Sequence, residues 1–284
     1  MIENNAVEKP KKKYSLWLDA WRRFRKNPVG MIGLFLIFLL IFTAIFADII
    51  APAIDDPLLG RVPAYEYQDL RNRNASPSRD HFFGTDNFGR DIFFRIVHGS
   101  RISLLVGFVV VSISMTVGVT LGTLAGFYGR YIDATIMRFM DIILAIPFVL
   151  MAISIVAALG PGLVNVMIAI GITSVPYFAR QVRSSVLSVR EQEFIESAKS
   201  IGCSDLRIML RHIIPNCMAP IIIRATMGMA TAILSAAALS FIGLGIQPPT
   251  PEWGAMLAEG RRFFRDFWHI TFSPAWRLPW WFSA

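Results

Sequence analysis

The chain has 284 residues, of which 54% are hydrophobic and only 17% are charged, and its mean hydropathy is +0.51. Soluble domains carry about 25% charged residues, so this composition argues against an ordinary soluble enzyme, and the high apolar content excludes disorder. The net charge of +8 fits the basic residues that flank membrane helices better than it fits a nucleic-acid surface.

A basic segment, residues 1–28, precedes the first long charge-free run. In this segment, after a cytoplasmic tail, apolar residues at helical spacing predict an interfacial helix. These residues are Leu16, Trp17, Ala20, Trp21 and Phe24. A bilayer core about 30 Å thick needs about 20 apolar residues in a helix. Residues 29–47 are therefore predicted to form the first transmembrane helix.

Further charge-poor runs follow, and a Gly-Pro-Gly turn at 160–162 divides the longest of them. They predict four more transmembrane helices, over residues 103–127, 135–159, 163–179 and 217–245. The fold class is therefore all-α, a polytopic membrane protein with five transmembrane helices. All six lysines lie in the N-terminal segment or in the loop 180–216, which predicts that both are cytoplasmic and that the segment 48–101 is extracytoplasmic.

Small residues form a regular row in the second predicted helix, at Gly118, Gly122 and Gly126. Such a row gives one smooth helix face that a neighbouring helix can approach closely, although glycine is also enriched in membrane helices generally. At the start of the third predicted helix, Asp141 follows Arg138 by three residues. This spacing and shallow depth predict a local ion pair or a side chain that snorkels to the interface, rather than a proton relay.

The loop 180–216 is the most informative cytoplasmic segment. Its helical pattern runs to Ile201, Gly202 interrupts it, and a second short helix is predicted to end at Pro215, with one apolar face made of Leu206, Met209, Leu210 and Ile213. Two short amphipathic helices joined by a glycine form a compact unit. It either packs on the membrane end of its own protein or docks into a groove of a soluble partner.

Here the sequence resembles a known family. Glu196-Ser197-Ala198, followed by Gly202 and then by Pro215 thirteen residues later, is similar to the EAA loop of binding-protein-dependent ABC importers, with Ser197 in place of the family's second alanine. Three further segments resemble signatures of the dipeptide/oligopeptide/nickel permeases and of their C-type subunit: FFGTDNFGRDIFFRIVHGSRISL (82–104), MRFMDIILAIP (137–147) and SFIGLGIQPPTPEWGAML (240–257). The resemblance covers about residues 15–274.

The resemblance implies a type I ABC importer permease fold, with a permease core at 102–274 and a coupling loop at 180–216. It implies a second homologous permease subunit, two cytoplasmic ATP-binding subunits and an extracytoplasmic solute-binding protein as partners. The implied function is passage of dipeptides or short oligopeptides by alternating access, with nickel or glutathione as alternative cargo. ATP and magnesium would be held by the partner ATPases, because no G-x-x-x-x-G-K-[ST] phosphate loop occurs in this chain.

The resemblance also assigns site residues. The residues expected to couple the chain to its ATPase partner are Phe194, Glu196, Ser197, Ala198, Ile201, Gly202, Leu206, Leu210 and Pro215. Arg90 and Asp91 are expected to be structural residues of an outer gate, or else solvated loop charges. No residue is assigned to catalysis, to a cofactor, to a metal or to the cargo.

Two other classes of function compete with this interpretation. A secondary carrier predicts inverted repeats and ionisable residues at mid-span, and an intramembrane enzyme predicts a catalytic pair at membrane depth. The nearly charge-free spans argue against both. The resemblance also implies a sixth span after residue 270, but the chain there contains Arg277 and two prolines. The atypical segment 275–284 is therefore expected to reflect a frameshift or a truncation.

Overall fold

The computed structural model describes residues 21–271 except 23, 57–59 and 264. The interfacial helix predicted in residues 1–28 lies largely outside these residues, and the segment 275–284 lies entirely outside them. The first helix long enough to span a membrane among the described residues, α1 (Pro28–Ile45), starts one residue before its predicted start, because the side chain of Asn27 accepts hydrogen bonds from the Val29 and Gly30 N–H groups. An asparagine cap followed by proline at the first helical position is a strong helix start.

A short segment of mixed structure follows α1. It contains a helical turn, α2 (Ala47–Ile50), an antiparallel hairpin of β1 (Ile54–Asp56) and β2 (Gly60–Val62), and a 3-10 turn at Leu70–Asn72. The hairpin pairs Ile54 with Val62 and Asp56 with Gly60. The described fold is otherwise helical.

The longest helix is α3 (Ile92–Tyr128), whose 37 residues span about 55 Å. It begins eleven residues before the predicted start at 103, because the side chain of Asp91 accepts a hydrogen bond from the Phe94 N–H and caps it there. The predicted helix started only after the charged residues of this first part, because it was placed on the charge-free run. Those charges are compatible with a packed helix because they have partners in the fold.

The single helix predicted over 135–159 is wrong. The structure has two helices there, α4 (Arg130–Ala145) and α5 (Phe148–Leu159), which meet at an angle of 89°. Proline disfavours the α conformation of the residue before it, and Ile146, before Pro147, is extended with φ −90° and ψ 127°. The dipeptide therefore ends one helix and starts the next.

The helix α6 (Leu163–Arg190) extends eleven residues beyond its predicted end at 179. After it come four short helical pieces: α7 (Glu193–Ser200), α8 (Asp205–Ile208), a π-helical turn at Met209–Ile213 and α9 (Ile214–Asn216). The described part of the chain continues with α10 (Met218–Phe241), α11 (Trp253–Gly260), a 3-10 turn at Arg261–Phe263 and helical residues at 268–271. By length and composition α1, α3, α6 and α10 can each cross a bilayer, and the bent pair α4 and α5 is long and apolar enough for a fifth crossing if the two helices form one span.

The membrane core is built around the pair α3 and α6. A Cβ atom added to Gly122 would lie 2.5 Å from the Ala179 carbonyl oxygen, and one added to Gly126 would lie 2.8 Å from the Val186 Cβ. The row of glycines on α3, including Gly118, therefore faces α6 at backbone contact distance. Side chains of α3, α5, α6 and α10 complete the core, among them Val106, Val110, Val156, Ile170, Ala232 and Leu239.

Arg101 attaches α1 to α3. Its guanidinium donates to the carbonyl oxygens of Ala44 and Ile45, at 2.5 and 3.1 Å, and to both carboxylate oxygens of Asp48, at 3.0 Å each. Carbonyl groups in the last turn of a helix have no partner within the helix. Arg101 satisfies two of them at the end of α1 and holds the pKa of Asp48 below its usual value.

Candidate functional site

The segment between α6 and α10, residues 191–217, is called the connector below. Residues 180–190 of the predicted loop 180–216, where the sequence pattern is helical, continue α6. Ile195, Ile208 and Ile213 of the connector are fully buried and pack with Phe127 of α3 and Val186 of α6. These three isoleucines fix the connector to the ends of the two core helices. Ile213 belongs to the predicted apolar face, whereas Ile195 and Ile208 were not predicted from the sequence.

Gly202 shapes the turn between the two halves of the connector. The Gly202 N–H donates to the Lys199 carbonyl at 2.9 Å, and the Cys203 N–H donates to the Ala198 carbonyl at 3.1 Å, which is the hydrogen-bond pattern of a Schellman motif. Gly202 has φ +76°, and a Cβ atom placed on it would have no atom within 4 Å. Its backbone conformation, rather than lack of space, is what favours glycine here.

The outer side of the connector carries exposed apolar side chains. Phe194 is 43% exposed, Ile201 80%, Leu206 63% and Leu210 59%. Glu196, Ser197, Gly202 and Pro215 are also exposed, whereas Ala198 is buried. Eight of the nine residues assigned to coupling are thus exposed, and only Ala198 is buried.

Two predictions about the second half of the connector are wrong. The proposed apolar face splits into two adjacent rows, since Met209 and Ile213 point inward while Leu206 and Leu210 point outward. Pro215 does not end a continuous helix either. It lies at the start of α9, where proline is tolerated because the first N–H groups of a helix have no partner.

Ion pairs fix the end of α6 that leads into the connector. Arg183 forms a bidentate pair with Asp133 of α4, with both distances 2.5 Å, and Arg190 donates to the Gly126 and Phe127 carbonyls at the end of α3. Asp141 pairs with Arg180 of α6 at 2.5 Å and not with Arg138, which corrects the predicted local pair.

A second cluster of charges lies at the other end of α3 and is called the charge cluster below; it consists of Asp86, Arg90, Arg95 and Glu259. Arg90 donates from Nε to Asp86 at 2.6 Å and from Nη2 to Glu259 at 2.8 Å. Arg95 lies 3.3 Å from Asp86 and 3.6 Å from Glu259. Both arginines are at most 2% exposed, so these charges are buried and paired rather than solvated.

Arg90 and Asp91 are adjacent in sequence but serve different parts of the fold. Arg90 enters the charge cluster, whereas Asp91 caps α3 and accepts a hydrogen bond from, or pairs with, the Nδ1 atom of His81 at 2.8 Å. Both residues are candidates from the sequence, whereas Glu259, which pairs with Arg90, is not. No local pattern connects two residues so far apart in the chain.

A cavity of about 290 Å³ lies between α3, α5, α6 and α10. Its walls are mainly apolar, with Val110, Val111, Phe148 and Ile170. Its polar side chains are hydroxyl groups and one arginine: Ser114, Ser174, Tyr177, Thr231, Ser235 and Arg224. Among the described residues, no group of His, Cys, Asp and Glu side chains is arranged to hold a metal ion.

Comparison with known proteins identifies the architecture that carries these features. Residues 118–276 match the family of binding-protein-dependent transport system inner membrane components, and residues 15–77 match the N-terminal transmembrane domain of oligopeptide transport permease C. The chain belongs to this family of ABC importer permeases. The permease is therefore a multi-pass transport subunit of a bacterial membrane, and the connector lies wholly within the first match.

Two relatives of the permease are similar over nearly its whole length. The dipeptide transport system permease protein DppC of Alkalihalophilus pseudofirmus is 49% identical over 91% of this chain and 82% of its own. The glutathione transport system permease protein GsiD of Escherichia coli is 47% identical over 94% of this chain and 85% of its own. The permease thus belongs to the peptide/nickel group.

Solved structures show the same fold at lower identity. The MetNI methionine ABC transporter, in an inward-facing conformation, has a chain that superimposes with a TM-score of 0.56 and 18% identity, over 66% of this permease and 89% of that chain. This match confirms the type I permease fold.

Proposed function

We propose that the permease passes dipeptides or short oligopeptides across the cytoplasmic membrane by alternating access, driven by separate ATPase subunits that dock on the connector. The 49% identity with a dipeptide permease supports the cargo. The lysine distribution supports a cytoplasmic N-terminus and a cytoplasmic connector. A second homologous permease and an extracytoplasmic solute-binding protein complete the proposed importer.

The two-sided construction of the connector carries the proposal. One side is anchored by fully buried isoleucines, and the other presents exposed Phe194, Ile201, Leu206 and Leu210. Large apolar side chains exposed together outside a membrane core are typical of a protein interface. An anchored unit with an apolar outer side is suited to receive a partner and to transmit its displacement to the helices beneath.

Docking on the connector would also let ATP binding by the partner subunits drive the conformational change. A partner shifts a conformational equilibrium only by binding the two conformations with different affinities. ATPase subunits that bind the connector more tightly in one conformation would favour that conformation while ATP is bound. Hydrolysis would then return the pair of permeases to the opposite conformation and expose their shared cavity to the other side of the membrane.

The test is retention of the ATPase subunits by tagged permease purified in mild detergent. The double variant Leu206→Asp, Leu210→Asp places two charges on the outer side of the connector, and it should lose the ATPases while remaining inserted in the membrane. Leu70→Asp is the matched control, because Leu70 is 61% exposed, close to the 63% of Leu206, and lies at the other end of the molecule. Normal ATPase retention by the double variant would refute docking on the connector.

Glutathione is a second candidate cargo, since the 47% identity with a glutathione permease extends over 94% of the chain. Uptake of radiolabelled dialanine and of radiolabelled glutathione by cells that express the complete importer would separate the two. Competition by an excess of unlabelled dialanine should abolish uptake of the labelled dipeptide but leave glutathione uptake small and unchanged if dipeptides are the cargo. The reverse pattern would identify glutathione instead.

A further inference from the structure

Arg224 is the only charged residue in α10, and no sequence motif singles it out. It follows Met218 by six residues, which places it about 9 Å along the helix from that end. A charged side chain within a membrane span is costly, and such residues generally face the interior of the bundle or a water-filled cavity and mark substrate pathways. Arg224 follows this rule, because it lines the cavity between α3, α5, α6 and α10.

Aromatic rings hold the guanidinium in place. Its central carbon lies 5.2 Å from the centre of the Tyr177 ring and 6.0 Å from that of Phe178, both on α6. Such contacts stabilise a cation through the negative face of the ring. They also leave the N–H groups of the guanidinium free to donate hydrogen bonds elsewhere.

Within the described residues the guanidinium of Arg224 has no carboxylate partner. No aspartate or glutamate is among the described residues that line the cavity. Within the described part of the chain, the Nε atom of Arg224 is buried and has no hydrogen-bond partner. A buried donor without a partner costs free energy, so a ligand that supplies an acceptor here would be favoured.

The rest of the cavity fits a small organic ligand. Its volume of about 290 Å³ is at the lower end of ligand pockets, which are mostly apolar with a few polar groups that orient the ligand. The hydroxyl groups of Ser174 and Tyr177 line the same cavity as the guanidinium, and Val110, Phe148 and Ile170 supply apolar walls. This arrangement provides one anion-binding point beside a surface that accepts varied side chains.

We infer that Arg224 binds the carboxylate of the transported peptide as the peptide passes through the membrane, which rests on the proposed import function. A guanidinium presents parallel N–H donors that match the two oxygens of a carboxylate. Every peptide has a terminal carboxylate, whereas its side chains vary. A site that grips the carboxylate and surrounds the remainder with apolar walls is therefore compatible with cargo of different sequences.

The test measures peptide binding to the complete transporter in lipid nanodiscs, without the solute-binding protein, by saturation-transfer NMR. The probes are Ala-Phe and its C-terminal amide, which lacks the negative charge. Wild type should bind Ala-Phe about tenfold or more tightly than the amide, and Arg224→Gln should weaken Ala-Phe binding by about ten- to hundredfold while leaving the amide unchanged. Arg224→Lys, which keeps the charge but loses the paired donors, should be intermediate, and Arg79→Gln, at an exposed position, should behave as wild type.

Several results would overturn the inference. They are equal affinity of wild type for the two probes, binding of neither probe, or an equal loss for both in Arg224→Gln. Release of the second permease by Arg224→Gln would show that the guanidinium pairs with that subunit instead. Failure of the proposed function is distinguishable, because the wild-type permease would then be purified without ATPases. In that case the two probes are compared on the purified permease alone.

Discussion

The Nη2 atom of Arg90 lies 2.8 Å from Oε2 of Glu259, although 169 residues separate the two in the chain. Arg90 precedes α3 and Glu259 lies in α11, so this contact ties the segment after α10 to the start of the longest helix. The side chain of Arg90 is 2% exposed and that of Glu259 is 20% exposed. Because Arg95 also approaches both Asp86 and Glu259, two buried positive charges depend on the same two carboxylates.

Replacing Glu259 with glutamine should destabilise the permease strongly. The change removes one of two carboxylates and leaves Arg90 and Arg95 with an excess positive charge in a buried site, a loss of about 3 kcal/mol. For a chain of this size that corresponds to a fall in Tm of about 6–12 °C, measured by thermal unfolding in detergent. Asp266→Asn, seven residues later and exposed, should change Tm by no more than a degree or two. Equal Tm values for the two variants would contradict a structural role of the charge cluster.

Gly122→Ala should force α3 and α6 apart. The added methyl group would lie 2.5 Å from the Ala179 carbonyl oxygen, and backbone cannot yield as a side chain does, so a loss of about 1–3 kcal/mol is expected. Gly107→Ala is the control on the same helix, because its methyl group would first meet the tip of the Ile233 side chain at 3.3 Å. Thermal unfolding of both variants checks the difference, and a stable Gly122→Ala protein would argue against close packing of the two helices.

Gly202→Val should loosen the connector, whereas Gly202→Asn should not. A β-branched residue is strongly disfavoured at φ +76°, but asparagine adopts the left-handed conformation and occurs at this position of helix ends. A cost of about 1–2 kcal/mol predicts that amide hydrogen exchange in residues 193–217 becomes about tenfold faster in the valine variant. If the two variants exchange at the same rate, the conformation of Gly202 does not limit the connector.

The pH dependence of stability should reflect Glu252. This side chain caps α11 by accepting hydrogen bonds from the Gly254 and Ala255 N–H groups, at 2.9 and 2.8 Å, and its burial raises the pKa of the carboxyl above the usual value of 4.5. Between pH 4.5 and the raised pKa the folded state binds more protons than the unfolded state, so stability falls as the pH rises.

Glu252→Gln should therefore flatten the decline in Tm with rising pH, because the amide cannot ionise while its oxygen still accepts a hydrogen bond at the helix start. Glu191→Gln, at an exposed position, should follow the wild-type profile. Tm values between pH 5 and 8 in a single detergent provide the comparison. A steeper decline in the Glu252→Gln protein would reverse the expected sign and contradict the assignment.

The charge-free runs of the sequence predicted where the chain crosses the membrane, but they predicted the helix ends closely for only some of the helices. The first helix was predicted over 29–47 and lies at 28–45, and the last was predicted over 217–245 and lies at 218–241. In contrast, α3 and α6 each extend eleven residues further than predicted. Their extensions contain Arg95, Arg101, Arg183 and Arg190, which have partners only in the folded protein.

Of two further features that the sequence did not predict, one is indicated by the local sequence and the other is not. The break between α4 and α5 was available from Pro147, which lies in a segment already selected for its resemblance to the family. The ion pair of Arg90 with Glu259 could not be predicted from the local sequence, because it depends on how α11 returns to the start of α3. The same reason explains why Arg224 was overlooked: its importance comes from the cavity around it, which three other helices build.

The helix α6 joins the connector to the cavity without a break. It carries Tyr177 and Ser174 in the cavity wall, and its last residue, Arg190, is bonded to the end of α3. Such a helix acts as a stiff lever, because displacement of one end moves the other. Pro176 lies inside this lever and removes one rung of its hydrogen-bond ladder, next to the ring that holds Arg224. Helices bend most readily at such a proline, so a displacement of the connector should bend α6 mainly beside the cavity.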